Sequence, residues 1–386
     1  MTEHLSDNDI AELVAWRRER HMHPELSGEE AETARSVVGM LRPTSPDRIL
    51  TGMGGHGVAA VYESGADGPT VLFRSELDAL PIQEFGEIGH RSLVPGKAHL
   101  CGHDGHSATL LGLARLVGRA RPKRGRVVLM FQPAEEDGSG AAAVIADARY
   151  GEIQPDYAFA IHNAPGLPLG EAYVSEGPAN CASRGMLVKL QGSTAHAANP
   201  AAGRSPLRAV ASLLPALEGL SSGGELGPGF TLVTVTHASM GEPVFGVAPG
   251  HAEIRATLRT VQDAEMAALV EKAEAMVREA ATASRLDHAI SYADIFLACT
   301  NDPAATSLLR EGMDRAGVPH KPKPKPQRGS EDFGRFGHAA RSAMVLLGAG
   351  VDCPAVHTPT YDFPDALIDV GVRLFAGTLS AVMDRA

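Results

Sequence analysis

Val127-Val128-Leu129-Met130-Phe131 runs directly into Gln132-Pro133-Ala134-Glu135-Glu136. A short apolar run closed by a proline turn reads as a strand, and the two carboxylates fall at its end. Further apolar runs at 58–61, 71–73 and 157–161 read the same way, and helical stretches at 107–117 and 141–148 separate the later ones. Strands alternating with helices predict an α/β domain whose central sheet is mostly parallel and flanked by helices. Two helices precede it. Ser6 or Asp7 can cap the first, and the second spans roughly 29–41 and stops at Pro43.

The middle of the chain has another order. Strands are expected at 186–190, 231–238, 252–258 and 287–292, and helices at 206–217 and 264–280. That is β-α-β-β-α-β, a small two-layer domain. The α/β pattern then resumes with a helix near 304–316, a strand at 343–347 and a last helix near 365–383. The expected organisation is a larger domain in two parts, 1–183 and 296–386, around a smaller domain inserted at 184–295. A chain of 386 residues is too long for one small core, which fits two domains.

The formal charge of −11 argues against nucleic acid as a partner, since phosphate binding needs a basic face. The basic stretch Lys321-Pro322-Lys323-Pro324-Lys325-Pro326 reads as a stiff solvated connector. The chain has no run of 18 apolar residues, and its polar, acidic start is unlike a signal peptide; neither a membrane nor export is expected. Cys101, Cys181, Cys299 and Cys353 form no CxxC pair, which fits the reducing cytoplasm.

Two motif matches fail on context. Gly52, Gly54 and Gly57 satisfy GxGxxG, but the strand-like VAAVYES follows where a dinucleotide site needs a helix, so a hairpin is expected. Gly219-Leu220-Ser221-Ser222-Gly223 satisfies GxSxG, but a helix precedes it where a nucleophile elbow needs a strand.

The chemistry-bearing residues cluster at strand ends and turns. His99-Leu100-Cys101-Gly102-His103-Asp104-Gly105-His106 stands just before a helix, and Cys101 and His103 flank a glycine that lets both turn toward one ion. A cysteine favours Zn²⁺. Glu135 and Glu136 can divide labour, one holding metal and one reaching water. His162 and Asn163 end another strand, and His357 lies in the resumed α/β part. One Cys, three His and a Glu exceed a single four-coordinate zinc and suit two neighbouring ions. Asp78, after the strand at 71–73, either orients a ligand imidazole or caps a turn; spacing alone does not choose.

Taken together, His21-Met22-His23-Pro24-Glu25-Leu26-Ser27, Glu76–Ile82, CGHDGH at 101–106, QPAEE at 132–136, His162, Gly192–His196, Ser330–Phe333 and His357 closely resemble the M20 peptidase family, in its aminoacylase and amidohydrolase branch. The resemblance implies Cys101, His103, Glu136, His162 and His357 as ligands of two divalent ions, zinc foremost, with manganese, cobalt or nickel admissible. It implies Glu135 as general base toward a metal-bridging water, Asp78 as an orienting partner, and His196 as a donor to the oxyanion. Arg259 and Asn163 are expected substrate contacts. The implied reaction is hydrolysis of an N-acyl amino acid, with di- or aminopeptidase activity as the alternative, in a homodimer joined through the inserted domain. Relatives carry Asn in an N-V-I-P turn; here Phe245-Gly246-Val247-Ala248-Pro249 puts Gly246 in that place.

Overall fold

The computed structural model describes residues 4–323 and 325–385. Pro324 of the lysine–proline stretch and residues 1–3 of the acidic start lie outside them. The chain forms two compact units, one of residues 1–179, 300–324 and 332–386, the other of residues 180–299 and 325–331.

The first unit is built on an eight-stranded sheet. Its order is Arg48–Met53, Gly57–Glu63, Arg126–Gln132, Thr70–Glu76, Tyr157–Pro165, Arg341–Gly350, Ala172–Tyr173, His320–Lys321. Neighbours among the four central strands, Arg126–Gln132 to Arg341–Gly350, pair in parallel, so their carboxyl ends share one edge. The strand that opens the sequence argument is buried from Val127 to Gln132, as a central strand covered on both faces must be. Helices His103–Arg119 and Leu367–Arg385 cover the sheet with near-continuous apolar burial. The mostly parallel α/β sheet flanked by helices is therefore as expected. The glycine-rich stretch at 52–57 is the expected hairpin, with Met53 facing Gly57 across antiparallel strands.

Helix Asp7–Met22 starts with a reciprocal cap: the Asp9 amide donates to Ser6 Oγ at 3.1 Å and the Ser6 amide to the Asp9 carboxylate at 2.8 Å. The same helix carries a fully buried Arg17, which donates to Asp104 at 3.1 Å and Asp362 at 2.7 Å. A guanidinium out of water needs such partners.

The second unit is a four-stranded antiparallel sheet ordered Thr231–Met240, His251–Thr260, Ala182–Gln191, Asp287–Phe296. Helices Leu207–Glu218 and Asp263–Ala283 pack on one face, giving the two-layer βαββαβ unit. Along His251–Thr260 burial alternates residue by residue, the mark of a sheet with one wet face. The GxSxG match is the helix end and loop that its context implies. Lys325 and Arg328 belong to this unit; Lys325 pairs with Glu225 at 2.9 Å. Lys321 lies in an edge strand and pairs with Glu171 at 2.7 Å, so the lysine–proline stretch is anchored at both ends. No helix among the described residues is long and apolar enough to cross a membrane.

Candidate metal centre

The carboxyl edge of the parallel strands gathers the donors. His162 lies within Tyr157–Pro165, Glu135 and Glu136 follow Arg126–Gln132, Asp78 follows Thr70–Glu76, and His357 lies beyond Arg341–Gly350. Cys101 immediately precedes helix His103–Arg119, whose first residue is His103; the helix starts four residues earlier than the sequence periodicity placed it. Gly102 makes the turn possible. Its φ is +100°, and a Cβ there would lie 2.3 Å from Asn163 Oδ1 and 2.9 Å from the Tyr361 hydroxyl.

Among the described residues five donor sets overlap, with atoms in each within 4.8 Å. Three consist of expected residues: Cys101, His103 and His162; Cys101, Glu136 and His357; His103, Glu135 and Glu136. Glu76, His103 and His106, and Glu135, Glu331 and Asp332, form the other two. Cys101 Sγ lies 3.5 Å from His162 Nε2. His103 Nε2 is 3.8 Å from Glu136 Oε1 and 3.9 Å from Glu135 Oε2, and His357 Nε2 is 3.6 Å from Glu136 Oε2. The imidazole–carboxylate separations are too long for hydrogen bonds, yet suit donors that share a cation bonded at about 2.0–2.3 Å.

The surroundings fix the ligand orientations. His103 Nδ1 meets the Asp78 carbonyl at 2.9 Å and Asp78 Oδ1 at 3.3 Å, leaving Nε2 to face the cluster. His162 Nδ1 donates to the Asn163 carbonyl at 2.8 Å, which likewise turns Nε2 inward. The His357 amide donates to the Leu100 carbonyl at 2.7 Å, stitching the last donor to the cysteine turn; His357 adopts φ +64° to do so. Burial, reinforced by the Glu136 charge, pushes the Cys101 thiol well above its usual range. Burial pushes His162 down to about 3, so it is a neutral donor. A buried thiol among carboxylates ionises when a cation replaces its proton, so the donors fit divalent metal.

The remaining expected site residues have contacts of their own. Asn163 is 3% exposed, with its carboxamide beside Gly102. Arg259, on the second unit, donates to the Arg328 carbonyl at 3.0 Å and Ser330 Oγ at 2.8 Å, fastening the returning segment to its sheet. His196, also on the second unit, is exposed; its strand pairs with Val247–Ala248, and its Nδ1 accepts from the Ala198 amide at 3.1 Å. His106, in the CGHDGH motif, is engaged behind the site, with Nδ1 2.6 Å from Glu76 and Nε2 accepting from the Asn163 amide at 3.2 Å.

Sequence reasoning assigned no role to Ser27 or Glu30. Ser27 Oγ donates to Asp78 Oδ2 at 2.8 Å, beside the Glu136 amide on the same oxygen at 2.9 Å. Glu30 accepts from the Ala134 amide at 2.8 Å. Ser27 was legible as part of the HMHPELS motif; the glutamates that follow it at 29 and 30 carried no signal.

An α/β sheet with a metal-ligand cluster at its carboxyl edge defines a class of hydrolases. Residues 72–381 match the model of peptidase family M20/M25/M40, and the chain belongs to that family. It is 27% identical to the N-acetylcysteine deacetylase of Bacillus subtilis over 373 residues, covering 96% of this chain and 97% of that one. It is 29% identical to IAA-amino acid hydrolase ILR1-like 4 of Arabidopsis thaliana, covering 94% and 84%. The Bacillus subtilis YXEP protein, described as a dinuclear metal binding peptidase from the M20 family, superposes with a TM-score of 0.82 at 26% identity, covering 99% of this chain and 100% of that one.

Proposed function

We propose that this M20 hydrolase cleaves the amide bond of N-acyl amino acids, with Cys101, His103, Glu136, His162 and His357 holding two divalent ions. The observation that carries the reading is that Glu136 sits between His103 and His357, 3.8 and 3.6 Å away, and so links two donor sets. Relatives named as a deacetylase of an N-acetyl amino acid and as an amino acid conjugate hydrolase support this substrate class.

Divalent ions at these donors supply Lewis-acid charge and lower the pKa of adjacent water. Glu135, 6% exposed and beside His103, takes the proton of the attacking water and returns it to the leaving amine. Asp78 orients His103. His196 is the proposed donor to the oxyanion, being exposed and able to present its remaining ring nitrogen. Arg259, held by the Arg328 carbonyl and Ser330 Oγ, and Asn163 are the proposed substrate contacts. The cysteine favours zinc, and manganese, cobalt or nickel suits the same donors. Strands Thr231–Met240 and Asp287–Phe296 are the sheet edges of the second unit, and an open edge is the kind of surface on which a second copy pairs. The four cysteines suit a reducing cytoplasm.

A peptidase is the second reading, favoured by the description of the YXEP protein. Assaying N-acetyl and N-benzoyl amino acids beside dipeptides, with Zn²⁺, Mn²⁺, Co²⁺ and Ni²⁺ in turn, separates the two. Turnover of acyl amino acids is expected; turnover of dipeptides alone overturns the amidohydrolase reading.

A further inference from the structure

The geometry points to Glu30 as a positioning residue for hydrolysis, clamping the turn that aims Glu135 and Glu136. The inference rests on the roles proposed above for those two carboxylates. Ala134, which precedes them, holds φ +49°, a left-handed backbone that residues with a Cβ rarely adopt. Such a conformation persists only where surrounding contacts impose it. Two contacts do so from opposite sides. The Ala134 amide donates to Glu30 Oε1 at 2.8 Å, and the Ala134 carbonyl accepts from the Gly140 amide at 2.8 Å.

Glu30 is itself held. It is fully buried, and the same Oε1 accepts from the Gly28 amide at 3.0 Å. Three residues earlier, Ser27 fixes the Asp78 oxygen that receives the Glu136 amide. One turn of the amino-terminal segment thus grips the carboxylate pair from both flanks, at Ala134 and at Glu136. Burying a carboxylate is costly, and it is explained if the acceptor is needed at that amide. Without it the amide is left buried and unpaired, and the turn relaxes toward negative φ. That moves the general base and a metal donor together.

The test uses the full-length metal-loaded enzyme and its variants. Glu30→Ala should lower kcat by about 10- to 100-fold with little change in KM, the size of loss an ångström-scale misplacement causes. It should also weaken Mn²⁺ retention against a chelator, because Glu136 moves with the turn. Glu30→Gln keeps an acceptor oxygen and should recover most of kcat. Ala134→Gly placed on Glu30→Ala should recover part of it, since glycine takes positive φ without the clamp. Glu25→Gln is the structural control. The Glu25 side chain accepts from the Glu32 and Thr33 amides at the start of helix Ala31–Leu41, and the variant leaves the Glu25 backbone carbonyl on the Ala79 amide, so it should lower Tm and leave kcat unchanged.

If Glu30→Ala lowers Tm but leaves kcat and Mn²⁺ retention at wild-type values, the clamp is refuted. It is equally refuted if glycine at 134 recovers nothing while Glu30→Gln is as impaired as Glu30→Ala. Should Glu30→Ala fail to fold, Glu30→Asp, whose shorter side chain draws the acceptor back from the Ala134 amide, replaces it with and without Ala134→Gly: a kcat defect that glycine relieves supports the clamp, and no defect, or one that glycine does not relieve, refutes it. Absence of acyl-amino-acid turnover in the wild type would sink the hydrolytic reading alone, because Mn²⁺ retention still reports whether Glu30 places Glu136.

Discussion

Asp78 Oδ1 stands 3.3 Å from His103 Nδ1, while its other oxygen takes the Glu136 amide at 2.9 Å. One buried carboxylate therefore orients two donors of the candidate metal centre. Burial opposes the Asp78 charge, but His103 and these hydrogen bonds hold its pKa below the usual carboxylate range.

Asp78→Asn keeps the shape and removes that charge. Metal affinity should fall by about 10- to 100-fold, as outer partners of ligand imidazoles typically contribute. Competition with a chromophoric chelator measures it; an unchanged affinity means Asp78 only caps its turn.

Glu135→Gln should retain metal and Tm while kcat falls by roughly 10²–10⁴-fold, the usual contribution of a positioned base. Turnover near the wild-type rate with metal bound would remove Glu135 from the mechanism.

Chelation should lower both Tm and activity, and restoring metal should recover both, because ions that bind only the folded chain stabilise it by mass action. A chelator that abolishes activity without shifting Tm would mean that these donors are not where the metal binds.

The His21 network predicts a pH dependence. Burial opposes a charge on His21, yet Asp104 at 3.0 Å and Glu84 at 3.3 Å outweigh it and hold its pKa at about 9. A folded-state pKa above the unfolded value of 6.5 means that the proton stabilises the fold. The contribution, roughly 3 kcal/mol, is complete below pH 6.5 and is lost as pH rises through about 9. Denaturant unfolding of wild type and His21→Gln between pH 6 and pH 10 should give a stability gap that closes with rising pH. A constant gap contradicts the assignment.

Much of this was legible because parallel strands declare themselves as short apolar runs, and their carboxyl ends are where ligands collect. The strands at 127–131 and 157–161 led to Glu135, Glu136 and His162 in this way. Long-range bonds from irregular segments were not legible. Nothing local about Glu30 says that it meets Ala134, 104 positions away. The packing of the Asn163 carboxamide into the space left by the missing side chain of Gly102 was not legible either. Nor was the return of residues 325–331 to the second unit's sheet, where Arg259 donates to the Arg328 carbonyl.

The most direct measurement is the metal stoichiometry of the purified apoprotein titrated with Zn²⁺ or Mn²⁺, read by calorimetry and elemental analysis, for wild type and Glu136→Ala. The account predicts two ions per chain in the wild type and a loss of tight binding when Glu136, the carboxylate between the donor sets, is removed. A single ion per chain, or two ions held equally well without Glu136, would contradict it.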